Sequence, residues 1–183
     1  MQMPQIRIVD AYSHMFGESV LDQLHPSLKK EVVAILTTTP IAGQSKPSAE
    51  KTKRGKLVWS GKDLNGPLGK EFRRSGWTRR KVFYQGQSRY FIDVDYCKAG
   101  VAVEIQFGKY AFVQHDFSKF RYLFEESNKD YRIDVGIEVV PAASLQRQMY
   151  TGPANFESVV ASLRAHARND PAVPVWLLGI DVE

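Results

Sequence analysis

The sequence predicts an α/β fold on three observations. Strand-like runs near residues 81 to 85, 89 to 96 and 101 to 107 follow one another closely enough to pair antiparallel. The segment from Phe112 to Asn128 places Val113, Phe117, Phe120 and Phe124 on one helical stripe. Two later apolar strands, RIDVGIEVV and VPVWLLGID, enclose a helical segment, ANFESVVASLRAHA. Strands alternating with helices in this way call for a sheet covered by helices.

The remaining elements follow in chain order. IRIV near the start reads as a short strand, and a helical region begins near Gly17. SVLDQL and SLKKEVVAILT form two helical pieces separated at His25-Pro26, with Ser27 expected as N-cap and Val32, Val33, Ile35 and Leu36 as the buried side. From Thr37 to Lys56 the composition shifts to Thr, Pro, Gly, Ser and Lys, the mark of a flexible connection or a DNA-facing loop. Leu57 to Ser60 is a candidate short strand, and GKDLNGPLGKEFRRSGW contains a helix that carries Glu71 towards the next strand. PAASLQRQMYTGP reads as a long loop. There are no repeats, and GPLGKE lacks the spacing of a phosphate-binding loop.

A chain of 183 residues, 43% hydrophobic, suits a single domain over 1–183. The apolar run from Val173 to Ile180 is broken by Pro174 and too short for a bilayer, and MQMPQIRIVD has no signal-peptide core. A soluble, unexported protein is expected. The lone Cys97 excludes an internal disulfide and is expected to be a buried small hydrophobe, while four scattered His residues give no zinc-ligand spacing. The net charge of +5 is unevenly spread. Between Lys46 and Lys81 stand twelve Lys or Arg against Glu50, Asp63 and Glu71, so the rest of the chain is net acidic. A basic segment beside an acidic pocket suits a polyanion held over metal ions, although short basic runs also occur on ordinary solvated loops. Trp77, interleaved with Arg73, Arg74, Arg79, Arg80 and Lys81, is a candidate core anchor.

The most informative stretch is FIDVDYCKAGVAVEIQF, a tight hairpin turning at Lys98-Ala99-Gly100. Simple alternation places Phe91, Asp93 and Asp95 on the same face as Ala102, Glu104 and Gln106. Three carboxylates there, with no Lys or Arg between them, would repel, and a hard divalent cation would relieve the repulsion. The solvated face of an antiparallel sheet shows the same alternation without any such function.

The order of elements and the acid-x8-Glu-x-Gln signature together resemble the PD-(D/E)xK nuclease fold, and within it the BglII and BstYI branch of type II restriction endonucleases. EIQFGKYAF, the helix ending at Trp77, the Phe- and Glu-rich helix and PVWLLGID support the resemblance in order and spacing. It implies a mixed central β-sheet flanked by helices, with Mg²⁺ bound by Asp95, Glu104 and the carbonyl of Ile105, and with Gln106 holding the attacking water. A glutamine is neither a cationic stabiliser nor an effective base, so the metal would have to activate the water. The resemblance also implies that Lys109 reads a base, chemically apt for guanine O6 and N7, and that the segment Ser144 to Gln148, including Gln146, Arg147 and Gln148, supplies further base contacts. Relatives place an Asn fifteen residues before the metal-binding Asp, where this chain has Arg80; either Arg80 contacts phosphate, with Arg79 beside it, or Glu71 supports the site. The relatives also carry a C-terminal arm around DNA beyond the point matching Glu183, so looser specificity is expected.

The implied activity is hydrolysis of double-stranded DNA at a GATC-centred palindrome, leaving four-base 5′ overhangs, by a cytoplasmic homodimer. Two alternatives stay open on the residues alone. One is a structure-specific or repair nuclease of the same fold, and the other a DNA-binding module without catalysis.

Overall fold

The computed structural model describes residues 3–51, 53–84, 86–150, 152–165 and 170–183. Its centre is a six-stranded sheet in the order β1-β8-β7-β6-β5-β4, with a two-stranded ribbon, β2-β3, outside it. The ranges are β1 Ile6–His14, α1 Gly17–Leu24, α2 Pro26–Thr38, β2 Lys46–Pro47, β3 Leu57–Val58, α3 Gly61–Arg74, β4 Thr78–Phe83, β5 Phe91–Lys98, β6 Val101–Ile105, α4 Tyr110–Phe124, β7 Val135–Pro141, α5 Ala143–Gln148, α6 Phe156–Ala165 and β8 Val175–Val182. The sheet is mixed: β4, β5 and β6 run antiparallel, β6, β7 and β8 run parallel, and β1 returns antiparallel along β8. The α/β class with helices on both faces is as expected.

Strand position explains strand composition. β7 and β8 lie inside the sheet with helices on both sides, and their residues are buried almost without interruption. Such strands read as continuous apolar runs and not as alternating ones. On one face α1, α2, α3 and α5 enclose a core containing Leu21, Leu36, Leu68, Phe72, Trp77, Val103 and Leu145. On the other, α4 and α6 cover Val94, Ala102, Phe117, Phe120, Val160 and Leu177. Trp77 is a core residue, 1% exposed, with its indole Nε1 donating to Glu31 at 2.7 Å. Cys97 is buried, and burial pushes its thiol up to about 12.

Several local expectations are corrected. Ser27 is not the cap of α2: His25 holds that position, with Pro26 as the first helical residue, where its missing N–H costs nothing. α2 runs on to Thr38, where a loop was expected. The long loop after β7 contains α5, and IRIV is part of a nine-residue strand. Gln85 at the end of one expected strand, Thr151 in the expected loop, and His166 and Ala167 at the end of an expected helix lie outside the described residues. No helix among the described residues is long and apolar enough to cross a membrane.

The β5–β6 turn brings the candidate site together. Ala99 and Gly100 have φ of 42° and 83°, and Gly100 is needed twice over, because a Cβ there would also lie 2.6 Å from Asp134 Oδ2. The turn fixes Tyr96 opposite Val103, which makes Asp95 and Glu104 the next residues along their strands.

Candidate active site

β5 does not alternate as simply as its sequence suggests. The β4–β5 register shifts between Thr78 and Arg80, opposite the stretch from Val94 to Cys97. Ile92, Val94 and Cys97 therefore pack into the α4–α6 core, while Tyr96 joins the opposite one. A bulge of this kind re-aims side chains next to a site. The expected face of three unpaired carboxylates is corrected accordingly. Asp93 is held by Arg79, whose Nε donates to Oδ1 at 2.7 Å and whose Nη2 donates to Oδ2. Glu104 is 3% exposed and pairs with Lys119 of α4, Nζ to Oε1, at 2.7 Å.

Lys119 belongs to a buried network absent from the expectations. Its ammonium also lies 2.6 Å from Asp116 Oδ1. Gln106 Nε2 donates to Asp116 Oδ2 at 2.9 Å, and Gln106 Oε1 accepts from the Gly108 amide at 2.7 Å. Both ends of the Gln106 carboxamide are thus fixed. Glu138 on β7 sits in parallel register with Glu104 and is wholly buried, and neither of its carboxylate oxygens has a hydrogen-bond partner. Sequence reasoning passed over Asp116, Lys119 and Glu138. One signal was available, since a Glu inside the otherwise apolar run VGIEVV is a residue rarely buried without cause.

The electrostatics follow from crowding acids into a poorly solvated place. Burial, then the neighbouring Asp116 and Asp95 charges, push the Glu104 carboxyl up to about 9, with Lys119 opposing. Burial also pushes Glu138 well above the carboxylate range, with Asp116 and Glu104 adding to it. Burial alone would lower the Lys119 ammonium, but the charges of Glu104 and Asp116 prevail and raise it. One ammonium faces more carboxyl groups than it can neutralise. Hard anionic oxygens of this kind suit a divalent cation, and Asp95, half-buried, with Glu104 offers them from adjoining strands. Among the described residues no group of three or more His, Cys, Asp or Glu side chains is arranged to hold a metal ion, and Lys119 already shares Glu104.

The other expected site residues are placed as follows. Glu71 lies on α3 with Arg74 at 3.8 Å, not in the Glu104 network. Arg80 Nη1 donates to the Tyr131 carbonyl at 3.3 Å. Lys109 is exposed and forms the N-cap residue of α4, directly beyond Gln106-Phe107-Gly108. Ser144 Oγ donates to Asp181, while Gln146 donates to the Pro153 carbonyl at 2.7 Å and accepts from Asn155 at 2.9 Å. Arg147 and Gln148 at the end of α5 are exposed. Beside Gln106 opens a cleft of about 700 Å³ lined by Lys46, Ser60, Lys62, Asn65, Gly108 and Tyr150, among others. Its α3 wall starts with a reciprocal cap, Asp63 N donating to Ser60 Oγ at 3.3 Å and Ser60 N to Asp63 Oδ2 at 2.8 Å.

The fold is shared with solved nucleases. The crystal structure of restriction endonuclease BglII complexed with a DNA 16-mer matches with a TM-score of 0.77 at 21% identity, over 96% of this chain and 75% of that one. Free BglII matches with a TM-score of 0.67 at 18% identity, over 96% and 78%. No match is found among curated proteins. The family described as restriction endonuclease BglII/BglIII matches residues 9–180, nearly the whole sequence, and the chain belongs to that family.

Proposed function

We propose that this restriction endonuclease is a Mg²⁺-dependent type II enzyme that cuts double-stranded DNA at a GATC-centred palindrome and leaves 5′ overhangs. The observation that carries the reading is the adjacency of Asp95 and Glu104 beyond the Tyr96–Val103 pair, at the edge of a buried acidic network and beside a basic-rimmed cleft. The solved relative with DNA bound lends the substrate class. Asp95, Glu104 and the Ile105 carbonyl would hold the ion. When bound, it would lower the pKa of a water and stabilise charge on the scissile phosphate.

The chain's own residues divide the rest of the work. Gln106, fixed at both ends of its amide, shapes the site beside the ion. Lys109, Arg147 and Gln148 are exposed donors suited to base edges. Ser144 and Gln146 brace the segment that carries Arg147 and Gln148, because their side chains are committed to Asp181, Pro153 and Asn155. Arg80 and the basic stretch around it suit phosphates, which set register on a duplex without reading sequence.

Plasmid digestion with Mg²⁺, followed by sequencing of the ends, tests the reading. Discrete fragments with GATC-containing four-base 5′ overhangs are expected. Glu104→Ala should lower cleavage by about 10²- to 10³-fold, while binding of the same duplex in Ca²⁺ persists. A smear, cutting confined to branched DNA, or binding without cutting by the wild type would each defeat it.

A further inference from the structure

Resting on the nuclease reading above, we infer that Lys119 is a positioning residue of the reaction, acting directly on Glu104 and, through Asp116, on Gln106. No motif of the active-site hairpin contains it; the fold brings it there from the middle of α4.

Three observations support the inference. The Lys119 ammonium lies 2.7 Å from Glu104 Oε1 and 2.6 Å from Asp116 Oδ1, and all three side chains are at most 12% exposed. Long, flexible lysines are rarely buried so far unless they are paired. The contacts also branch in a specific way. Asp116 spends Oδ1 on Lys119 and Oδ2 on Gln106 Nε2, so the ammonium and the carboxamide are held by two ends of one carboxylate. Gln106 in turn receives the Gly108 amide, which orders the turn from β6 into α4. Finally, Gln106 is uncharged, and its carboxamide is bound to Asp116 and the Gly108 amide. Lys119 supplies a fixed charge within hydrogen-bonding distance of Glu104.

The geometry also explains why an ordinary structural ion pair is an insufficient description. A pair serving stability alone would need only one carboxylate, and a buried pair is often no better for stability than apolar packing. Here the network holds the side chains of Glu104 and Gln106, the two residues that flank Ile105 in the chain. Displacing a reacting group by about 1 Å costs on the order of 10²-fold in rate.

The test uses the full chain and a duplex carrying one cleavage site, with single-turnover rates and Ca²⁺-supported DNA binding measured side by side. Lys119→Met is expected to cut about 10²-fold more slowly at saturating DNA, with binding within about 3-fold of wild type. Lys119→Arg, which keeps the charge, should recover at least a tenth of the wild-type rate. Asp116→Asn keeps an oxygen for Lys119 but turns an amide N–H₂ towards Gln106 Nε2. It should therefore lose rate by 10- to 100-fold, again without loss of binding. Wild-type rates in Lys119→Met would overturn the inference and leave the nuclease reading intact. A parallel fall of rate, DNA binding and melting temperature, unrelieved by Lys119→Arg, would also overturn it by showing a purely structural role. No cutting by the wild type would overturn both.

Discussion

At Glu138 a carboxyl group with 0% exposure has neither oxygen hydrogen-bonded, an arrangement that costs roughly 1–3 kcal/mol. Burial favours the protonated carboxyl in the folded chain, while the unfolded chain releases the proton near the ordinary value of 4.5. The folded state therefore holds more protons than the unfolded one above that value, so Glu138 favours folding at low pH. Its contribution declines as pH rises towards the folded value, by at most about 1.4 kcal/mol per pH unit. Glu138→Met, similar in length and apolar, should accordingly stabilise the metal-free protein by about 1–3 kcal/mol at pH 8. Urea unfolding at pH 5, 6.5 and 8 checks this, and the advantage of the variant should shrink towards pH 5. A pH-independent advantage would mean that Glu138 is not the group holding the proton.

At the scale of elements, α4 matters most because it carries both Asp116 and Lys119 to the hairpin. Its seat on the sheet depends on Gly136 of β7, where a Cβ would lie 2.5–2.8 Å from ring atoms of the wholly buried Phe120. Phe120 is packed in the α4–α6 core and has little room to yield. Gly136→Ala should destabilise by about 1–3 kcal/mol, seen as a lower urea midpoint with an unchanged slope, and should slow cleavage by shifting α4. An unchanged midpoint would show that the helix tolerates displacement. The stripe of α4 was legible in the sequence because Val113, Phe117 and Phe120 recur at helical spacing and a helix has a single strong periodicity. So were the β5–β6 turn and the adjacency of Asp95 and Glu104. The facing of Tyr96 was not, because the register shift opposite residues 94–97 breaks a period of two without any glycine or proline to mark it. α5 was hidden for another reason. Six residues are too few for periodicity to show, and its stability comes from Leu145 in the core and from side-chain bonds at Ser144 and Gln146. Lys119 stayed invisible because pairing across fifteen residues, from strand to helix, leaves no local pattern.

For the whole molecule, the proposed function gives one chain one Asp95–Glu104 site, whereas the proposed palindrome would present two scissile phosphates related by a two-fold axis. Cutting both strands in one binding event then requires two chains whose axis coincides with that of the DNA. The basic surplus between Lys46 and Lys81 would lie along the two strands symmetrically, adding sequence-independent affinity that weakens with salt. Two measurements bear on this arrangement. Sedimentation with a short palindromic duplex should give two chains of 20.8 kDa per duplex. Mixing wild type with excess Glu104→Ala should then place most wild-type chains in mixed pairs with one competent site each. On supercoiled plasmid such pairs should accumulate nicked circles, because the strand facing the disabled subunit stays intact. Linear product with no nicked intermediate, rising only in proportion to the wild-type fraction, would instead mean that a single chain visits both strands in turn. In that case the two-fold arrangement would have to be abandoned even if the chemistry assigned to Glu104 stood.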